Sequence, residues 1–177
     1  MYRHVVIVGP SGAGKSTLCR RVVDEWRRRG LPGAGVMAEL RHDTPDARGL
    51  DVVDVATGRR LPLAEFDRAT GGPNTGRWHF RQDTFAAGLA WCETVSHDTL
   101  FVVDEVGPLE LEQGLGWALL VPRVATHQGP ALVAVRPALA DVLLAALSPR
   151  LAFRVDLTPE TRDAAVAAVR VALGLDA

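Results

Sequence analysis

A chain of 177 residues with 47% hydrophobic and 23% charged residues has enough apolar material to bury a core, and it reads as one folded domain over 1–177. The 20 basic and 21 acidic side chains leave a formal net charge of −1, which argues against bulk attraction to nucleic acid or to an anionic membrane. No apolar run approaches the roughly 18 residues of a membrane span, and Cys19 and Cys92 show neither C-x-x-C nor metal-ligand spacing, so a reducing, cytoplasmic setting is expected.

In chain order, Tyr2–Val8 predicts a buried strand that runs into Gly9 rather than into a leader cleavage site. Lys15 to about Arg29 predicts a helix, with Leu18, Val22 and Trp26 at every fourth position and Gly30 as its stop. Ala34–Leu40 predicts a second strand. Leu50–Ala56 and Arg60–Leu63 flank Thr57-Gly58 and predict an antiparallel hairpin. From Asp67 to Arg77 the glycines, Pro73, Asn74 and Thr75 predict a mobile loop. Gln82–Val95 reads as a helix with Phe85, Leu89 and Cys92 on one face, and Leu100–Val103 as an apolar strand ending in Asp104-Glu105. Then come a helix over Leu115–His127, a strand at Ala131–Val135 and a helix over Pro137–Leu147. A strand at Ala152–Leu157 and a closing helix capped by Thr158-Pro159 and running to about Leu173 complete the pattern. Strands alternating with helices imply an α/β fold of three layers, a mostly parallel sheet covered on both faces, with the hairpin at Gly58 inserted in it.

Gly9-Pro10-Ser11-Gly12-Ala13-Gly14-Lys15-Ser16-Thr17 satisfies G-x-x-x-x-G-K-[ST], the phosphate loop (P-loop) pattern, in the strand-to-helix context that the pattern requires. Its glycines let successive backbone N–H groups point inward at phosphate oxygens, and the helix that follows adds partial positive charge at its N-terminus. Lys15 is then expected to reach the terminal phosphates of a nucleoside triphosphate, and the Ser16 hydroxyl to take one position on Mg²⁺. Lys15 is also the sole lysine of a chain whose other basic residues outside histidine are all arginine. A slot that escapes such a bias calls for a compact ammonium.

Ligands in doubly wound sheets gather at the carboxyl ends of strands, which is where Asp104-Glu105 falls. Asp104 is the second expected Mg²⁺ ligand, and Glu105 the group expected to take a proton from attacking water. An acid there favours hydrolysis over transfer. Two alternatives stay open: a kinase, with 67–77 as a lid over an acceptor, and a nucleotide-dependent switch or accessory subunit.

Val103-Asp104-Glu105-Val106-Gly107-Pro108-Leu109-Glu110-Leu111 resembles the (I/V)-D-E-(I/V)-G-x-(M/L)-E-L segment of the small P-loop nucleoside-triphosphatases, also called cancer-related nucleoside-triphosphatases. Glu39-Leu40-Arg41 is similar to that family's E-V-R, Thr57-Gly58 to its T-G, Gly76-Arg77-Trp78 to its G-x-Y and Thr161-Arg162-Asp163 to its N-R-D. The resemblance implies a RecA-like domain and Mg²⁺-dependent hydrolysis of several triphosphates with broad base tolerance. It also makes Arg41 a candidate for stabilising the terminal phosphate, with Arg48 a weaker one. Trp78 stands where the family has tyrosine, Thr161 where it has asparagine, and Arg48-Gly49-Leu50 where it has R-x-G-F. Glu110 either supports the site or caps the helix that follows Gly107-Pro108.

Overall fold

The computed structural model describes residues 4–44, 47–147 and 152–176; Tyr2 and Arg3 of the expected first strand lie outside them. The strands are β1 (His4–Val8), β2 (Gly33–Thr44), β3 (Ala47–Asp54), β4 (Arg60–Phe66), β5 (Asn74–Thr75), β6 (Trp78–Phe80), β7 (Leu100–Val106), β8 (Ala131–Val135) and β9 (Ala152–Asp156). The helices are α1 (Lys15–Arg28), α2 (Gln82–Trp91), α3 (Pro108–Leu111), α4 (Leu120–Thr126), α5 (Ala140–Ala146) and α6 (Arg162–Leu173).

All nine strands join one sheet in the order β5-β6-β4-β3-β2-β7-β8-β1-β9. From β2 to β9 the pairings are parallel, and β1, β7 and β8 are buried almost end to end, which is why they read as unbroken apolar runs. Successive residues still alternate between faces. Val5 and Ile7 join a core with α1 and α6, represented by Leu18, Val22 and Val169; Val6 and Val8 join the opposite core with α2, α4 and α5, represented by Phe85, Leu120 and Leu143. These are the expected three layers. Cys19 and Cys92 are both buried and free, and they sit in different cores.

The hairpin does not stand apart from the sheet. β2 is longer than the expected Ala34–Leu40: its first residues pair parallel with β7, and from Val36 onward it pairs antiparallel with β3. β3, β4, β6 and β5 continue the sheet as an antiparallel wing. The 67–77 segment, expected as a free loop, is tied at its neck by the Asp67 N–H to Arg77 carbonyl bond (2.8 Å) and further along by the Phe80 N–H to Pro73 carbonyl bond (2.8 Å). Helix α4 starts at Leu120 rather than Leu115, because Gly114 and Gly116 take φ of +66° and +59°, which a right-handed helix does not admit, and the Trp117 N–H is held by Glu110. Helix α6 starts at Arg162, after a turn in which the Thr161 hydroxyl accepts from the Thr158 N–H (2.9 Å) and donates to the Asp156 carbonyl (3.1 Å). Among the described residues no helix is long and apolar enough to cross a membrane.

Candidate functional site

The P-loop joins β1 to α1 at the carboxyl end of the parallel strands. Gly12 and Gly14 hold φ of +80° and +99°, values that side chains disfavour, and Gly14 precedes α1 with no side-chain cap. The first N–H groups of α1 therefore have no side chain competing with an incoming anion. Lys15 is buried, and its ammonium donates to the Gly9 and Pro10 carbonyls at 2.8 and 3.0 Å. Burial lowers its pKa, with Glu105 and Asp104 working the other way. Arg162 donates to the Ala13 carbonyl (3.3 Å) and lies against Gly14, so it braces the loop from α6.

Asp104 and Glu105 end up in contrasting surroundings because β7 bulges between them. Val103 pairs with Val133 and Val106 with Val135, so two residues of β7 oppose Ala134 of β8. Bulges are uncommon in parallel pairs and serve to redirect a side chain. Glu105 also takes φ of +65°, the left-handed region that a non-glycine residue occupies only when its surroundings impose it. The alternation of a regular strand would send the two carboxylates to opposite faces. Here Asp104 is fully buried, while Glu105 opens onto the cleft with its side chain 31% exposed.

Burial raises the Asp104 pKa to about 7, with Glu105 adding to the rise and the Ser16 hydroxyl, Lys15 and the Ala38 N–H opposing it. Neither Asp104 oxygen completes a hydrogen bond of ordinary geometry, although these partners lie close. An orphaned carboxylate beside a hydroxyl is a hard-oxygen pair suited to Mg²⁺, an ion that uses one or two protein oxygens and completes its shell with phosphates and water. No cluster of three or more metal-ligating side chains occurs among the described residues.

The raised pKa has a consequence for stability. The folded chain keeps the Asp104 proton up to about pH 7, whereas the unfolded chain releases it near the ordinary 3.8. Stability from this group is therefore greatest below pH 4 and is lost as the pH rises from 4 to 7. That gap corresponds to roughly 4 kcal/mol. Without Mg²⁺ or nucleotide, Asp104→Asn is expected to raise the melting temperature by several degrees at pH 8. The gain should shrink steadily as the pH falls toward 4, which calorimetry across that range will read.

A cleft of about 1020 Å³ runs from Ser11, Lys15 and Ser16 past Asp104, Glu105 and Arg136 to Phe66, Arg77 and Trp78. Its far wall is aromatic: Phe66 meets Trp78 edge-on at 5.0 Å between centroids, and the Arg48 and Arg77 guanidiniums each lie over the Phe66 ring, at 4.1 and 4.4 Å. Glu110 is spent on structure. It accepts from the Gly107 N–H (2.9 Å) and the Trp117 N–H (3.2 Å), which caps α3 and fixes the turn beyond the bulge.

The structure places Arg41, the arginine expected at the terminal phosphate, within the antiparallel wing. It lies within β2 opposite Gly49, where a side chain larger than hydrogen would collide with its guanidinium. From there it reaches across the antiparallel wing to Asp51 (2.5 Å) and Glu65 (3.0 Å), and it does not line the cleft. Arg48 lies over Phe66 at the far wall of the cleft. The arginine that does stand beside Glu105 is Arg136, which sequence reasoning passed over. Its position directly after the Ala131–Val135 strand meets the same carboxyl-end rule that singled out Asp104.

A family model described as NTPase matches residues 4–170. The nucleoside-triphosphatase THEP1 of Ignicoccus hospitalis is 36% identical over 109 residues, 61% of each chain, so the match spans about three-fifths of that relative's length. THEP1 of Pyrobaculum aerophilum is 31% identical over 134 residues, 72% of this chain and 70% of its own. The crystal structure of THEP1 from the hyperthermophile Aquifex aeolicus superposes with a TM-score of 0.75 at 18% identity, covering 96% of this chain and 98% of that one, and so shares the fold. With the model matching nearly the whole chain, this protein belongs to the NTPase family.

Proposed function

We propose that this chain hydrolyses nucleoside 5′-triphosphates to the diphosphate and phosphate in an Mg²⁺-dependent reaction. The observation that carries this reading is the β7 bulge, which separates a buried carboxylate beside Ser16 from an open one in the cleft, both next to the P-loop. The P-loop N–H groups and Lys15 bind and orient the phosphates. Asp104 and Ser16 would hold Mg²⁺, which when bound would supply charge neutralisation to the phosphates. Glu105 accepts the proton of the attacking water. Broad base tolerance fits a far wall of Trp78 and of guanidinium laid over Phe66, flat groups that can stack without reading base edges. The names of the relatives, nucleoside-triphosphatases, agree with this chemistry.

The test is phosphate release from ATP, GTP, CTP and UTP with and without Mg²⁺. Wild type should release phosphate from all four only with the metal, and Lys15→Ala should lower the rate about a hundredfold or more. A wild type inert toward all four sinks the proposal. A second reading, transfer to an acceptor, has the reach of the cleft to Thr75–Trp78 in its favour. It requires the terminal phosphate to appear on a second compound, with almost no release when that compound is absent.

A further inference from the structure

Arg136 occupies the one-residue step between β8 and the 3₁₀ turn at Pro137–Leu139. The carbonyl of Val135, just before it, accepts the Gly9 N–H that opens the P-loop (3.2 Å), so its backbone is fastened to the phosphate site. Its guanidinium donates to Glu105 Oε1 at 3.2 Å and lines the same cleft. Its charge is also felt at Lys15, where it works against protonation. Two cations, from the P-loop and from β8, thus meet beside the carboxylates of Asp104 and Glu105. The Arg136–Glu105 pair is half open to solvent, with side-chain exposures of 47% and 31%. Such pairs are weak and easily exchanged.

We propose that Arg136 is a positioning residue that senses the terminal phosphate: it holds Glu105 while no triphosphate is bound and exchanges that carboxylate for the third phosphate when one arrives. The proposal rests on the hydrolytic reading of the site. A guanidinium presents a planar fork that matches phosphate oxygens two at a time, and the terminal phosphate carries more charge than a single carboxylate. Exchange frees Glu105 to turn to water only when there is a bond to cleave. A diphosphate ends one group short and leaves the resting pair in place. The coupling is a difference in affinity for two arrangements of one side chain, which is all that a ligand needs to shift them.

The experiment is equilibrium binding of ADP and of the non-hydrolysable imido analogue of ATP, each with Mg²⁺. The proteins are wild type, Glu105→Gln, Arg136→Gln, Arg136→Lys and the Glu105→Gln/Arg136→Gln double variant. Removing the competing charge at Glu105 should tighten the analogue about twofold to fivefold, the range of an exposed ion pair, and leave ADP unchanged. That gain should vanish in the double variant. Arg136→Gln should weaken the analogue more than ADP, with Arg136→Lys recovering part of the loss because the charge returns without the fork. A gain that persists without Arg136 reports relief of repulsion and overturns the proposal. So does no gain at all, or an equal loss for both nucleotides, which marks a purely structural arginine. Binding needs no turnover, so an inert wild type sinks the hydrolytic reading while these affinities still decide the role of Arg136.

Discussion

Glu105→Gln is expected to lower turnover by about 10²–10⁴, the range for losing a positioned general base, while Mg²⁺–ATP still binds. Glutamine keeps the length and shape of the side chain, so the bulge and the left-handed backbone at this position are preserved, and only the capacity to accept a proton is lost. The contrast with its neighbour makes the result diagnostic. Asp104 is fully buried beside Ser16, and its loss should remove the metal; Glu105 faces the open cleft, and its loss should leave metal and nucleotide in place. Single-turnover phosphate release with enzyme in excess separates the cases. A variant whose chemical step matches wild type, or whose defect disappears at saturating ATP, assigns the water to some other base.

The largest effect on folding is expected at Gly35. This residue takes φ of +126° in β2, and a Cβ placed on it would stand 1.9 Å from the Val102 carbonyl oxygen of β7. The contact is backbone to side chain, and β7, which carries Asp104 and Glu105, is an inner strand paired on both sides, so it has little room to retreat. Strained backbone and overpacking each cost about 1–3 kcal/mol, and both apply here. Gly35→Ala should therefore lose at least about 3 kcal/mol of stability by urea denaturation, or fail to accumulate as folded protein. Gly58→Ala is a useful reference: that glycine also has positive φ, at +78°, but open space around it, so it isolates the conformational part of the penalty. Equal losses at the two sites would mean that the approach to Val102 relaxes freely.

The P-loop was legible because its chemistry is local: nine consecutive residues, one turn, and a strand and helix that announce themselves by period. Asp104-Glu105 was legible for the same reason, as the end of an apolar run. What could not be read was the bulge, since Val106 after Glu105 looks like an ordinary return to the apolar face. Nor could Arg136 be joined to Glu105. Thirty-one residues separate them, and they meet only because β8 is inserted between β1 and β7, a neighbour relation that periodicity does not encode. The place of Arg41 could not be read for a related reason. Its motif placed it after a strand, whereas β2 runs on to Thr44 and hands Arg41 to the carboxylates of β3 and β4. The expected starts of α4 and α6 missed because Gly116 turns left-handed inside the first and because Thr158 and Thr161 bond each other in a turn ahead of the second.

The parked position of Lys15 has a practical side. With one lysine in the whole sequence, amine-directed reagents can form an ε-amide or ε-imine at a single place, and that place is the phosphate loop. The ammonium is buried and shared between two carbonyls, and burial biases it toward the neutral, nucleophilic form. Acylation of the intact protein beyond its terminal amine is then a direct count of open loops. Trypsin will cut at arginines almost everywhere, leaving one peptide whose mass records whether a nucleotide was in the way.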